Sequence, residues 1–191
     1  MPLARLRVLA LAIFACCANQ ALEARSLWAV DPSHTRITFV VDAVGWPQTE
    51  GRFPNFQGKI AIDFDNPHGS SVSFKVTANS VDIGSSPFND FLRSEPFFNV
   101  AKYPYISYVS TLVEKVDAQH AHVTGNLTLL GVTRLIDLDV EVDRKLAGAG
   151  QRVGFKATGI IDRRDFGMNT GSPVISEKVH LIVTTEVVGE P

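Results

Sequence analysis

The chain has 191 residues, of which 45% are hydrophobic and 20% charged, with a formal net charge of −2. That is enough chain for one domain with a sizeable core, and it holds no basic run on which a nucleic acid could be gripped. Both cysteines, Cys16 and Cys17, fall within the first two dozen residues, so the remainder has no thiol for a disulfide, a cysteine metal site or a cysteine nucleophile.

The chain opens with Arg5 and Arg7, an apolar run over 8–18 that is too short to span a bilayer, and small residues at Ala18, Ala21 and Ala24. This is the pattern of a cleaved secretory signal over 1–24, which leaves a folded domain over 25–191. A short strand is predicted over 27–30, then a turn at Asp31-Pro-Ser-His34. Residues 35–43 alternate, with Ile37, Phe39 and Val41 on one face. Gly45-Trp-Pro47 breaks the strand. Gly51-Arg-Phe53 and Phe56-Gln-Gly58 lead into the next dry face, Ile60, Ile62 and Phe64. The turn cluster Asp65-Asn-Pro-His-Gly69 follows, and then Val72, Phe74, Val76 and Ala78.

At Ser85-Ser-Pro87 the period changes. A serine cap with proline in the first turn opens a short helix running to about Ser94, with Phe88, Phe91 and Leu92 on one face. Strand resumes after Tyr103-Pro104. Residues 105–113 are apolar or hydroxylated on both sides, and 120–130 form a further strand that ends in a turn at Gly131. The cleanest alternation follows: Ile136, Leu138, Val140 and Val142 against Asp137, Asp139, Glu141 and Asp143. A period of two means one dry and one wet face. After a turn at Gly148-Ala-Gly150, Val153, Phe155 and Ala157 alternate towards Ile161, and 179–188 closes the pattern with apolar residues on both faces.

About eight strands and one short helix point to an all-β fold. An antiparallel up-and-down barrel suits it best, because closure removes sheet edges and eight strands leave room for a small ligand. A two-sheet sandwich would give the same strand list.

The run Val30-Asp-Pro-Ser-His34, the Gly51-Arg-Phe53 step, Leu92-Arg-Ser94 with Phe97-Phe98, Tyr103-Pro104, Gly125-Asn-Leu-Thr-Leu-Leu-Gly-Val-Thr133 and Asp162-Arg-Arg-Asp-Phe-Gly-Met168 resemble, in this order and spacing, the YceI-like family of bacterial periplasmic lipid-binding proteins. The resemblance implies a lipocalin-like eight-stranded barrel whose elongated apolar pore holds a polyisoprenoid or other long-chain lipid. The leading expectation is a periplasmic carrier or store and not an enzyme, with no cofactor, because burying a long chain needs a lined pore rather than a catalytic set. Many relatives carry a histidine just after the first long strand, where this chain has Ala43-Val-Gly45, so no role of that histidine carries over.

Phe39, Ile62, Phe74, Leu129, Leu138, Phe155 and Val183 each sit on the dry phase of a different predicted strand and are expected to line such a pore, with Phe91 and Phe98 near its mouth. For a charged head group the candidates are Arg163 and Arg164, with Arg52 and Arg93 as rivals, since a guanidinium grips phosphate bidentately. Asp162-Arg-Arg-Asp165 also reads as a salt-bridged corner. His120 and His122 share one strand face, but no third local ligand completes a metal site. The doubly apolar 179–188 strand is expected to have its outer face, with Ile182 and Val188, covered by a second copy or by the 88–98 segment. Two other functions fit the pattern: a small outer-membrane barrel, and an enzyme acting on a barrel-bound lipid.

Overall fold

A computed structural model of the chain describes residues 26–63, 66–146 and 151–188. The expected signal at 1–24 and the Gly148-Ala-Gly150 turn lie outside the described residues. Ten strands run in chain order: β1 (Ser26–Ala29), β2 (Thr35–Ala43), β3 (Thr49–Arg52), β4 (Phe56–Ile62), β5 (Ser71–Thr77), β6 (Tyr105–Lys115), β7 (His120–Leu129), β8 (Val132–Leu146), β9 (Gln151–Asp162) and β10 (Ile175–Val188). One helix, α1 (Ser86–Arg93), stands between β5 and β6. All ten strands belong to a single antiparallel sheet in the order β1-β4-β5-β6-β7-β8-β9-β10-β2-β3, which removes the two-sheet alternative.

The ten segments are eight staves. β1 runs through a corner at Asp31 into β2, and β3 runs through Phe53-Pro54-Asn55 into β4. These two bent strands face each other along one ladder: Ser26 opposes Ile62 at one end and Val41 opposes Thr49 at the other. Between them the Phe53 N–H donates to the Ile37 carbonyl at 2.9 Å, while Pro54, having no N–H, interrupts the ladder. The other corner is set by Asp31, whose carboxylate accepts the Ser33 N–H at 2.8 Å and caps a 3-10 turn over Pro32–His34. With β10 pairing both β9 and β2, the ring closes.

Local chemistry explains the turns. Leu130 and Gly131 both have positive φ, 51° and 75°, which makes the β7–β8 connection the tight two-residue turn whose twist suits a hairpin. α1 begins after Ser85 with Pro87 in its first turn, as the sequence predicts, although the Ser85 side chain makes no capping bond.

The dry phase of every stave faces the lumen. The wet phase faces out: Asp137, Asp139, Glu141 and Asp143 are exposed on β8, and His120, His122 and Asn126 on β7. A barrel embedded in a bilayer needs an apolar outer band instead. Among the described residues, no helix is long and apolar enough to cross a membrane.

One expectation is corrected. The 88–98 segment does not cover the outer face of β10. Its rings turn into the end of the barrel, where Phe98 meets Phe39 and Phe53. Ile182 is half-buried on the outer wall between Thr38 and Thr158.

Candidate binding cavity

The inward side chains enclose a cavity of about 460 Å³, within the range of small-molecule sites. Phe39, Ile62, Phe74, Phe91, Phe98, Leu129, Leu138, Phe155 and Val183 all lie on its wall. Sequence reading missed other parts of that wall. Tyr108 and Val113 belong to it although they have opposite parity on β6. A bulge between Ser110 and Leu112 inserts one residue and flips the phase, so no simple alternation is visible there. Ile161, Met168 and Ile175 also line the cavity, around the β9–β10 connection.

The end of the barrel beside α1 is built from phenylalanine. Phe53 and Phe98 meet edge-on at 5.4 Å, Phe39 lies 5.6 Å from Phe53, and Phe91 lies 4.9 Å from Phe97. Phe39 pairs across strands with Gly51, and a Cβ on Gly51 would fall 2.1 Å from the tip of the Phe39 ring. The glycine is there because the ring lies flat on its backbone. Phe88 and Phe91 line the cavity and are also about half exposed, so they stand at the mouth.

The far end is different. Trp28, Ile60, Val153 and Val187 form a separate buried cluster there, and the indole N–H of Trp28 has no partner among the described residues. Alongside runs a polar groove lined by Arg36, His120, Glu141, Lys156 and Glu186.

Beside its apolar lining, the wall carries the polar side chains of Tyr108 and Arg163 and, at the far end, of Asp63, Lys115, Asp117 and His120. The Tyr108 hydroxyl donates to the Val123 carbonyl at 3.3 Å. Burial, with the Asp137 charge adding to it, pushes its pKa up to about 12. Arg163 is the one head-group candidate on the cavity wall and is 3% exposed. It donates to four backbone carbonyls: Ser176 at 2.9 Å, Met168 at 2.7 Å, Thr170 at 2.7 Å and Ile175 at 2.9 Å. Burial lowers its pKa from the ordinary arginine value.

The other three arginines lie off the wall and hold carboxylates. Arg52 grips Asp82 through Nε and Nη2 at 3.0 and 2.7 Å, and Arg93 meets Asp90 at 2.9 Å. Arg164 takes Asp162 at 2.8 Å and Glu177 at 2.9 Å, so Asp162 and Arg164 form a salt-bridged corner. That bond to Arg164 holds the Asp162 carboxyl well below the usual range. His120 and His122 point to different carboxylates, Asp117 at 2.9 Å and Asp139 at 2.6 Å. Among the described residues no three potential ligands gather around a metal position.

A closed antiparallel barrel with an apolar lumen and a charged exterior defines the lipocalin-like class of small-molecule binding barrels. The chain belongs to the YceI-like family, whose domain matches residues 28–187. It is 36% identical over 175 residues to a UPF0312 protein of Pectobacterium atrosepticum, covering 88% of each chain. It is 35% identical over 159 residues to Protein YceI of Salmonella arizonae, covering 80% of this chain and 81% of that one.

Among solved structures, Burkholderia cenocepacia BcnA matches with a TM-score of 0.75 at 24% identity, over 82% of this chain and 98% of that one. A polyisoprenoid binding domain from Saccharophagus degradans, implicated in plant cell wall breakdown, matches with a TM-score of 0.64 at 18% identity, over 87% and 100%. At those identities the likeness is one of fold.

Proposed function

We propose that this chain binds a polyisoprenoid or other long-chain lipid in the barrel lumen as a carrier or store, and that it does so in the periplasm after removal of residues 1–24. The observation that carries the reading is the wall itself: every stave contributes apolar side chains to one lumen. Such a wall suits a hydrocarbon chain, whose burial is worth about 0.8 kcal/mol per methylene. Membership of the YceI-like family and the polyisoprenoid-binding structural neighbour support the same ligand class. Binding fits better than catalysis on a held lipid, because a reaction needs convergent polar groups, while on this wall Tyr108 and Arg163 are engaged with backbone carbonyls and His120, at the far end, with Asp117. Among the four head-group candidates we take Arg163, on the cavity wall, as the one to meet the polar end of the lipid, through the single guanidinium N–H that its four carbonyl bonds leave over.

The protein purified from the periplasmic fraction is expected to release a long-chain isoprenoid or fatty lipid on organic extraction, seen by mass spectrometry. A ligand-free extract, together with no binding of a long isoprenoid alcohol or fatty acid, would overturn the reading. N-terminal sequencing is expected to start at Leu22 or Arg25, and a start at Met1 or Pro2 would remove the export part. The outer face of β9 and β10, with exposed Ile160 near Ile182, is where a second copy would pack. Sedimentation showing a monomer at high concentration would rule that dimer out.

A further inference from the structure

We propose that the helix end of the barrel docks on a phospholipid bilayer, and that the ligand passes between bilayer and lumen across Phe88 and Phe91; this rests on the lipid-binding reading above. The exposed apolar side chains of the outer wall run along β6, as Tyr105, Val109 and Leu112, and stand singly on β8 and β9, as Leu135 and Ile160, off the cavity wall. Others gather at the helix end. Val44 and Trp46, in the β2–β3 loop, are 74% and 68% exposed. The Val44 N–H donates to the Val174 carbonyl at 2.8 Å, which sets exposed Val174 of the β9–β10 connection beside that loop. Ala43 and Thr49, which bound the loop, line the same cavity as Phe88 and Phe91. The apolar loop tips therefore stand beside the opening of the lumen.

This rim suits a bilayer. Tryptophan favours the water–hydrocarbon interface, where one part of the ring is dry and the other wet. A water-exposed apolar rim around the opening of a lipid cavity is a contact surface in want of an apolar partner. A long-chain lipid leaving a bilayer through water would expose every methylene, and a mouth seated in the interface avoids that exposure. The far end cannot serve, since its groove carries Arg36, Glu141, Lys156 and Glu186.

The arginines at the helix end are each held by carboxylates, Arg52 by Asp82, Arg93 by Asp90 and Arg164 by Asp162 and Glu177, so they offer no free cluster of positive charge to an anionic surface. Docking is thus apolar rather than electrostatic, and a zwitterionic surface is sufficient. Arg163 lies on the wall of this cavity, buried.

The test uses phosphatidylcholine vesicles and the Val44→Ser/Trp46→Ser double variant, which alters exposed loop positions only. The parent protein is expected to float with the vesicles and its Trp46 emission to shift to the blue. The double variant is expected to partition about tenfold more weakly, having lost the apolar surface that enters the bilayer. It should also take up a fluorescent long-chain fatty acid from vesicles correspondingly more slowly, while binding the same fatty acid from aqueous solution as the parent does. Equal flotation of parent and variant, or no flotation of the parent, overturns the proposal. So does a dimer that forms through this rim and is lost in the variant without vesicle binding. If the parent floats but neither form binds the fatty acid from solution, docking stands, and the lipid-binding reading falls together with the passage over Phe88 and Phe91.

Discussion

Tyr108 shows how a single residue is fixed by what lies beneath it. Its ring rests on Gly125, where a Cβ would come within 2.5 Å of the ring and hydroxyl, so the strand gives up a side chain to let an aromatic lie flat. Burial then disfavours the phenolate and raises the pKa from 10.0 to about 12. The sign follows directly. The folded pKa lies above the unfolded one, so the contribution to stability is complete below pH 10 and is lost as pH rises from about 10 to 12. In an alkaline titration followed at 295 nm, one of the three tyrosines should ionise late, with unfolding, and Tyr108→Phe should remove that step. Complete tyrosine ionisation by pH 11 in the folded protein would contradict this. Arg163 makes the companion case. Neighbouring Arg163 and Arg164 look equivalent in sequence, yet one enters the wall to tie down carbonyls of 168–176 and the other stays outside on Asp162 and Glu177. Nothing in the sequence distinguishes them, because the difference is decided by a loop that folds back over one of the two.

Among the elements, β8 is the most legible. Its strict alternation places Leu138 on the cavity wall and Asp139 outside. A polar side chain on the wall is desolvated without a partner, at about 1–3 kcal/mol. Leu138→Asn or Phe155→Asn should therefore weaken lipid binding about 5- to 150-fold, whereas Asp139→Lys should leave it unchanged. Affinities measured on variants shown by circular dichroism to be folded would check this, and the reverse ranking would mean that inside and outside had been exchanged. The helix was equally plain, because Pro87 and the spacing of Phe88, Phe91 and Leu92 leave little choice. β6 was not legible. Its bulge changes parity midway, so inward Tyr108 and Val113 cannot both be found with a single period. The break between β3 and β4 was hidden for a related reason: hydrophobic pattern reports which face is dry but not where a continuous strand bends.

At the scale of the molecule, the lumen is a void that a protein selected only for stability would fill, since empty apolar space forfeits contacts. Ala157 marks the place to fill it: it faces the lumen from β9 between Val140 and Val183. Ala157→Trp should occlude the pore and reduce lipid binding about tenfold or more while leaving the thermal midpoint unchanged or higher, since the ring enters space already lined with hydrocarbon. Calorimetric melting alongside lipid titration would separate the two effects, and a strongly destabilised variant that still binds lipid would show that the lumen lies elsewhere. Ring closure carries a further consequence, in time rather than in space. The β6 to β9 hairpins join near neighbours in sequence, but the seam pairs residues 35–43 with 175–185, and its hydroxyl pair Thr35–Thr185, 2.6 Å apart, spans 150 positions. Contacts that distant form late and slowly. Without β10 between β9 and β2 the barrel would be an open trough with its apolar lining turned to water, and a lipid that binds only the closed pore would hold this seam shut by mass action.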